Sequence, residues 1–506
     1  MFYSYRSNHL EVLAARLTEM MRQPLRSSLA QEVVVVQSNG MARWLALRLA
    51  DALGVCANVS WRFPATFLWD MSRAILTHLP RASSFDKAAL VWRTMTLLRD
   101  LEPDPRFEPL RAWLGEEQSD FRRHELAQHI ADSFDQYLVY RPDWIRKWEA
   151  GEGEHWQAEL WRRLASSQDD HRARVQDRVR AALDSGAFDR RALPERVAIV
   201  GVTALPPAYL DLLAGLARYL DIHLFLLDPC QEYWGDIQAE RDLARLGEDI
   251  DPDEAYLTVG NPLLASLGKQ GRDFLDLLQA YPRAEWEGFV EPAGDELLQC
   301  LQADILHLRE RGGEDYPPLP LRPEDRSVQI HVCHGPMREV EVLHDQLLAL
   351  FERWPTLRPS DVIVMAPDIA VYGPLIEAVF DGAPRERRIP FSVTDQSVQI
   401  ENPLVEVFFN LLDMGGGRFD AAQVLSVLET AAVRRRFGLS EGDLERVRAW
   451  VKGAGIRWGI DAEIKRTWDL PTTAEHTWRA GLDRLLLGYA MPGGGQDLYA
   501  DILPYD

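Results

Sequence analysis

The chain has 506 residues, which is too long for one hydrophobic core and predicts roughly three domains at about 150 residues each. Its 46% hydrophobic and 26% charged residues exclude a disordered chain, collagen repeats and a membrane bundle, and indicate a soluble globular protein. A formal net charge of -22 excludes a surface that attracts nucleic acid everywhere, so any DNA site has to be a local exception.

The cysteines and the N-terminus indicate the cellular compartment. Cys56, Cys230, Cys300 and Cys333 form no CxxC pair, which argues against a zinc ribbon, an iron–sulfur cluster and a disulfide framework. The first residues lack the apolar core of an export signal, and no run of about 18 uncharged apolar residues occurs. We therefore expect a cytoplasmic protein without membrane contact.

The first elements predict a parallel sheet with crossover helices. A β-prone run at 2–5 precedes a helix that we expect to be capped by Asn8 with Glu11. A continuous β-branched run at 33–36 is typical of a strand buried on both faces, and we expect a turn at 38–40 before the next helix. Strands alternating with helices in this order favour an α/β fold.

Long helical patterns without a strand follow, including the stretches 88–101, 125–140 and 156–183. Strand patterns return at 197–202 and 222–227, on either side of a helical pattern at 207–219. We therefore predict that the helical stretch is an insertion within the first sheet-containing unit.

The remaining chain predicts a second α/β unit. An acidic stretch at 228–260 reads as an exposed loop, and prolines concentrate in a stiff segment at 316–323. Strands are then expected at 328–333 and 362–365, followed by helices beyond 402, and the end of the sequence predicts a chain cut from something longer.

The predicted fold class is α/β with tandem RecA-like units, helical insertions and an inactive ATP site. The predicted ranges are 1–84 and 192–313 for the first RecA-like unit, 85–191 for the helical insertion, 314–325 for the linker, 326–400 for the start of the second RecA-like unit and 401–506 for a truncated helical region.

Neither candidate turn can form a phosphate-binding loop, which needs glycines, a lysine and a Ser or Thr hydroxyl. The turn at 6–9 has no glycine, and the turn at 37–42 has Met41 and Ala42 where the lysine and hydroxyl residue are required. The chain contains only five lysines, and the one that follows a glycine, Lys269, lacks the rest of the motif. We therefore predict no catalytic centre and no bound cofactor in this chain.

No metal site is predicted either. His331 and Cys333 share one face of the expected strand, but His334 points to the other face and a fourth ligand is missing. A structural role for these residues is the better interpretation.

The segment 141–196 is the local exception in charge. It contains 12 Lys or Arg against 11 Asp or Glu, and tryptophans at 144, 148, 156 and 161 lie among the arginines. Arginine with aromatic residues is the combination that holds single-strand phosphates while bases stack. The alternative is that the aromatic side chains form the core of the insertion and the arginines its solvated surface. We expect Arg141, which precedes Pro142, to lie at a helix end near Asp135.

At these motifs the chain resembles RecC, the gamma subunit of the exodeoxyribonuclease V (RecBCD) complex, in its N-terminal half. The matching stretches are QSNGMARW at 37–44, FDQYLVYRPDW at 134–144, ALPP at 204–207, YWGDI at 233–237, GNPLLAS at 260–266, HVCH at 331–334 with REVEVLH at 338–344, and GIRWGI at 455–460. These stretches run through the whole chain.

The resemblance implies a superfamily 1 helicase-like fold without ATPase function. It implies a subunit that splits duplex DNA, channels single strands and scans one strand for a Chi hotspot, in complex with RecB-type helicase–nuclease and RecD-type helicase subunits that use ATP and Mg²⁺. It implies single-stranded and forked DNA as ligands. The positions on its tunnel motifs are Gln37, Asn39, Arg43, Trp69, Asp132, Asp135, Arg141 and Arg172.

Several alternatives stay open. Asn39, Arg43, Phe63 and Ser133 depart from the family pattern, which leaves open which hotspot is read and whether any is read. Asp132 and Asp135 could be ordinary helix-surface carboxylates, and Arg172 could form a surface ion pair worth less than about 1 kcal/mol. A second hypothesis is therefore a structural scaffold for the motor subunits with a degenerate DNA tunnel.

Overall fold

The computed structural model describes residues 1–27, 29–101, 103–115, 119–166, 168–238, 260–312, 316–394, 402–491 and 497–505. The chain divides into two compact units, Met1–Gln329 and Ile330–Asp506, which are described separately.

The first unit contains one parallel sheet and two groups of helices. Its strands are β1 (Phe2–Ser7), β2 (Glu32–Val36), β3 (Val59–Arg62), β4 (Arg196–Val200), β5 (Asp221–Leu227) and β6 (Ala284–Glu287). Its helices are α1 (Leu10–Met21), α2 (Asn39–Leu53), α3 (Pro64–Ile75), α4 (Lys87–Arg99), α5 (Glu108–Leu114), α6 (Asp120–Tyr140), α7 (Pro142–Glu149), α8 (Trp156–Ala165), α9 (Arg172–Ser185), α10 (Pro207–Leu216), α11 (Pro262–Leu267), α12 (Lys269–Gln279) and α13 (Leu297–Leu306).

The strand order across the sheet is β3-β2-β4-β5-β1-β6, and every pair is parallel. This confirms the α/β class and the strands predicted near 2–5, 33–36, 197–202 and 222–227. In the register, Val35 pairs with Arg62 of β3 and Val36 with Val200 of β4. The carboxyl ends of β2, β3 and β4 therefore lie side by side at one edge of the sheet.

Alternating side chains of the central strands enter two different cores, as the two-residue period of a strand requires. Val35 and Ile199 pack in a core with α3, α9 and α10, whereas Val34, Val36 and Val200 pack in a core with α1 and α2. Both faces of the sheet are thus covered, which explains why these strands are continuous apolar runs.

Residues 85–191 contain α4 to α9, which form the helical group, and no strand among the residues described, as the sequence predicts. Phe85, Phe134 and Trp161, each at most 2% exposed, form the centre of their core. The helical stretch predicted over 156–183 consists of two helices, because α8 ends at Ala165 and α9 begins at Arg172. Between them Asp170 accepts hydrogen bonds from the backbone and hydroxyl of Ser84, which holds the interruption against the preceding loop.

Two predicted local features at the sheet edge are also wrong. Asn8 does not cap α1: its side-chain amide donates to the Val290 carbonyl at 2.8 Å and accepts from the Val290 amide at 2.9 Å. The expected turn at 38–40 is the start of α2, where the Ser38 hydroxyl accepts from the Met41 amide at 3.2 Å. For Asn8, a hydrogen bond to a distant residue replaces the predicted helix cap. At 38–40, capping by Ser38 starts a helix where the sequence favoured a turn.

The second unit is mainly helical. Its helices are α14 (Pro336–Arg353), α15 (Ile369–Gly382), α16 (Pro403–Gly416), α17 (Ala421–Glu429), α18 (Ala431–Phe437), α19 (Glu441–Gly453), α20 (Ala462–Arg466) and α21 (Trp478–Ala490). The helices expected beyond 402 are therefore confirmed.

The strands predicted at 328–333 and 362–365 are wrong for the structure described. Both segments are without regular secondary structure, and Ile330, Val332 and Ile363 are 83–95% exposed instead of buried. Val362 alone packs against the core of α14 and α15. A strand needs a hydrogen-bonded neighbour, and none of the described residues supplies one to either segment.

The predicted acidic loop at 228–260 lies outside the described residues from 239 to 259. In the part of the chain that the structure covers, no helix combines the length and the apolar character needed to cross a membrane.

Candidate nucleic-acid interface

Three predicted site residues lie together at the carboxyl edge of the sheet, where β2 passes into α2. Gln37, Asn39 and Arg43 are exposed, and no hydrogen bond or ion pair within the described residues engages their side chains. The carboxyl edge of a parallel sheet is the usual binding side of an open α/β fold. An amide, a second amide and a guanidinium are therefore available here to an external ligand.

Trp69 is held on α3, which begins directly after β3. Pro64 occupies the first position of this helix, where its missing N–H costs nothing. The Trp69 indole N–H donates to the Arg81 carbonyl at 3.1 Å, and its ring packs partly against the core beneath the sheet. Phe63, which precedes the helix, is 43% exposed. Trp69 thus has a fixed orientation and only part of its ring is open to a stacking partner.

Asp135 and Arg172 contact each other, which the sequence did not predict. An Arg172 guanidinium nitrogen lies 3.0 Å from the Asp135 carboxylate, and another lies 3.9 Å from Asp86. The Asp135 and Arg172 side chains are 29% and 26% exposed. Burial raises the pKa of Asp86, and the charge of Arg172 opposes this rise. The pair links α6 to α9 and leaves only part of each group open to another ligand.

Asp132, one turn before Asp135 on α6, forms a different ion pair. The Lys87 ammonium lies 2.5 Å from its carboxylate, and both side chains are about half exposed. An exposed pair of this kind contributes less than about 1 kcal/mol, so a ligand can displace it at little cost.

Arg141 occupies the single residue between α6 and α7. Its guanidinium stacks on the Trp144 ring at 4.0 Å from the centroid and its Nε lies 3.5 Å from Asp143. The expected position near Asp135 is not supported by an ion pair, because Asp135 is bonded to Arg172 instead. Arg141 is 48% exposed, and stacking on an indole fixes its plane while leaving N–H groups free to donate.

The other aromatic and basic residues of 141–196 mostly follow the structural alternative. Trp148 and Trp161 are 6% and 0% exposed and belong to the helical core. Trp144 and Trp156 are only partly buried, and Tyr140, which the motif analysis did not select as a site residue, is 64% exposed. Most of the arginines form ion pairs with carboxylates of the first unit, namely Arg146 with Asp177, Arg162 and Arg163 with Glu159, Arg174 with Glu149, Arg178 with Asp169 and Arg180 with Asp211.

A shared core joins the sheet edge to the helical group. Trp69 of α3, Val139 of α6, Val175 of α9 and Tyr209 of α10 all pack in the same cluster. Burial raises the pKa of Tyr209, and the charge of Arg172 opposes this rise. The predicted residues on α3, α6 and α9 therefore surround one junction.

The end of β1 and the residue that follows it are bonded to the chain's own segment at 287–290. Arg6 lies 2.8 Å from Asp228 and 2.8 Å from Glu287, and the Ser7 hydroxyl donates to the Gly288 carbonyl at 2.7 Å. Burial raises the pKa of Asp228, and Arg6 opposes the rise. The turn at 6–9 is one of the two candidate turns for phosphate binding, and its polar side chains are engaged by the chain itself.

The described residues contain no group of three or more His, Cys, Asp or Glu side chains arranged to hold a metal ion. His331 and His334 are exposed in the irregular segment of the second unit.

Two family models match this chain. The family model for the RecC N-terminal domain matches residues 2–308, and the model for the fourth domain of the RecBCD enzyme subunit RecC matches residues 401–506.

Proteins named RecBCD enzyme subunit RecC are similar along the chain. The protein from Escherichia coli K12 is 40% identical over 99% of this chain, that from Haemophilus influenzae is 36% identical over 97%, and that from Mycolicibacterium smegmatis is 33% identical over 99%. The chain spans about half the length of these relatives, 47–49%. With a family model covering most of the first unit and the identities extending through the second, the chain belongs to the RecC family.

Proposed function

We propose that the chain is a non-catalytic DNA-binding subunit of a RecBCD-type helicase–nuclease that acts in double-strand break repair by homologous recombination. In this role it splits the incoming duplex, passes single strands to RecB-type and RecD-type partners and scans one strand for a Chi-like hotspot. Membership of the RecC family supports the proposal, and the relatives are named as subunits of the RecBCD enzyme.

The observation that carries the proposal is the set of unengaged polar groups at the sheet edge. Gln37 and Asn39 each offer a donor and an acceptor, which is the pattern that reads a base edge, and Arg43 offers a cation for phosphate or guanine. Their exposure contrasts with the Arg172–Asp135 pair, whose charges already compensate each other. The side chains of Gln37, Asn39 and Arg43 are therefore suited to binding a strand. The Arg172–Asp135 pair is suited to holding α6 and α9 in position.

The proposal includes tandem RecA-like units that do not use nucleotide themselves. The engagement of Arg6, Ser7 and Asn8 with the segment at 287–290 supports this for the first unit. ATP and Mg²⁺ are then used by the partner subunits, and this chain contributes binding surface to an exodeoxyribonuclease V.

Arg141→Ala is expected to weaken single-strand binding and to lower the slope of the logarithm of the binding constant against the logarithm of salt concentration by about 1. The reason is the loss of one exposed cation held in place by Trp144. Fluorescence anisotropy with labelled oligonucleotides at several salt concentrations measures both quantities.

Trp69→Ala is expected to weaken binding through the loss of base stacking, with an unchanged salt slope in the same anisotropy measurement.

Arg191→Ala is the matched control for charge. Arg191 lies in the same basic segment, is 91% exposed and, among the residues that the structure describes, forms an ion pair only with the neighbouring Asp189, so its removal should leave binding nearly unchanged. Equal affinities for wild type, Arg141→Ala and Trp69→Ala would contradict the DNA-binding proposal.

A structural scaffold is the second candidate function, because Asp132 and Asp135 are already bound by Lys87 and Arg172. Co-purification with a RecB-type subunit followed by crosslinking of a forked DNA separates the two. Crosslinks to Gln37 or Arg43 support DNA handling, whereas a stable complex whose DNA crosslinks fall only on the partner supports the scaffold.

A further inference from the structure

The connection between α7 and α8 closes one side of an aromatic cleft in the helical group. Its volume is about 470 Å³, within the range of pockets that hold small organic ligands. It is lined by Trp144, Trp148, His155, Trp156 and Gln157.

Packing fixes the floor of this cleft. Trp148 is 6% exposed, and the His155 ring meets it edge-on at 5.3 Å. Tyr137 also meets Trp148 edge-on, at 5.7 Å. Gly153 has a φ of +84°, and a β-carbon there would lie 3.1 Å from the Ala158 β-carbon and 3.2 Å from the Trp148 ring, so glycine is favoured where the connection passes the indole. The lining side chains are thus preorganised.

The cleft offers flat ring faces together with unused donors. No hydrogen bond within the described residues engages the indole N–H of Trp144, Trp148 or Trp156. Of the remaining lining groups, the Gln157 amide makes only a 3.4 Å contact with the Tyr137 hydroxyl. A ligand that is flat, aromatic and rich in acceptors satisfies both features.

The two ends of the cleft carry opposite charges. Arg141 stacks on Trp144 at one end, whereas the exposed carboxylates of Glu152 and Glu154 lie on the α7–α8 connection. A phosphate is attracted to the first end and repelled from the second. A nucleotide in this position would keep its backbone beside Arg141 and direct its base toward the indoles.

We propose that this cleft binds one unpaired nucleobase of a single strand, an inference that rests on the DNA-binding function proposed above. Trp156 supplies the stacking surface, the indole N–H of Trp144 donates to a base acceptor, and Arg141, which stacks on Trp144, holds the adjacent phosphate. The strand path therefore extends from the sheet edge onto the helical group.

The test combines a protein change with a DNA change. A labelled dT12 oligonucleotide and its variants with one abasic nucleotide at each position are bound to the complete chain, as wild type and as Trp156→Ala. Stacking of one base predicts that Trp156→Ala and the critical abasic position each weaken binding roughly tenfold, and that combining them weakens it no further. Trp156→Phe should restore most of the loss, because a ring face remains.

Trp92→Ala is the matched control, because Trp92 is 62% exposed on α4 of the same helical group and lies outside the cleft. His155→Ala, which removes an exposed lining ring, gives a second variant that does not disturb the core. Equal weakening by Trp156→Ala of intact and all abasic oligonucleotides would overturn the cleft assignment.

The two proposals fail separately. Loss of affinity in Arg141→Ala with none in Trp156→Ala or His155→Ala keeps the DNA-binding function and overturns the cleft inference. Loss of partner co-purification in Trp156→Ala with unchanged DNA affinity assigns the cleft to a protein ligand and also overturns it. The absence of any single-strand binding contradicts both proposals.

Discussion

Asp228→Ala is expected to destabilise the first unit by about 3 kcal/mol, because it removes the buried partner of a charged side chain. The Asp228 side chain is 1% exposed and accepts hydrogen bonds from Arg6 at 2.8 Å, from the Trp234 indole at 3.1 Å and from the Cys230 amide at 3.2 Å. Its loss leaves all three donors without this acceptor. Hydrogen exchange of the β1 and β5 amides, followed by mass spectrometry, measures the change in opening free energy of the sheet.

Glu287→Gln is the matched control for this change. Glu287 is the other carboxylate on Arg6, but it is 50% exposed, so its charge contributes less than about 1 kcal/mol. If both variants change the exchange of β1 and β5 to the same extent, burial of the Asp228 pair is not what stabilises this edge of the sheet.

Glu149→Gln is expected to destabilise the helical group by about 2 kcal/mol at neutral pH, because it neutralises a partly buried carboxylate, 14% exposed, that three groups contact. Glu149 lies 2.8 Å from His171 and accepts from the Trp161 indole at 3.0 Å and from Arg174 at 3.0 Å. Hydrogen exchange of α8 and α9 measures the effect.

The same residue predicts a pH dependence. Burial acts to raise the pKa of Glu149, but its contacts with His171 and Trp161 and the charge of Arg174 outweigh it and lower the pKa below the ordinary value. A lowered pKa in the folded state means that the carboxylate stabilises the fold above its unfolded pKa of about 4.3, and that this stability is lost as pH falls through the folded pKa. Glu149→Gln should therefore flatten the loss of stability of α8 and α9 in acid.

Glu154→Gln provides the comparison for that profile, since Glu154 is an exposed carboxylate on the connection that follows α7. It should retain the wild-type acid dependence. An acid profile of Glu149→Gln that matches wild type would show that another group controls the acid sensitivity of this region.

The predicted sheet shows which strands the sequence pattern alone can identify. Continuous apolar runs such as 33–36 and 197–200 can be buried on both faces only in a sheet covered by helices, so composition and period determine their structure. The runs at 328–333 and 362–365 have similar apolar content but are exposed, because a strand also needs a hydrogen-bonded neighbour, and pattern does not report whether one is present.

For the site residues too, the sequence indicates some positions but not the contacts between distant residues. Motif resemblance selected Gln37, Asn39 and Arg43, and their position directly after β2 was sufficient to expect them at the carboxyl edge of the sheet. The partnership of Asp135 with Arg172 joins residues 37 positions apart on separate helices, so neither spacing nor composition indicates it.

The sequence by itself determined the α/β class, the helical insertion, the absence of a phosphate-binding motif and the resemblance to RecC, since each depends on local period or on motif letters. Only the tertiary structure decided which charged groups remain free for a ligand and which are already paired. The arginines of 141–196 show the reason: most of them pair with carboxylates, several of which belong to other helices, while Arg141 stacks on Trp144 beside an aromatic cleft. The net charge of a segment is additive along the chain, but the availability of each charge depends on its neighbours in space.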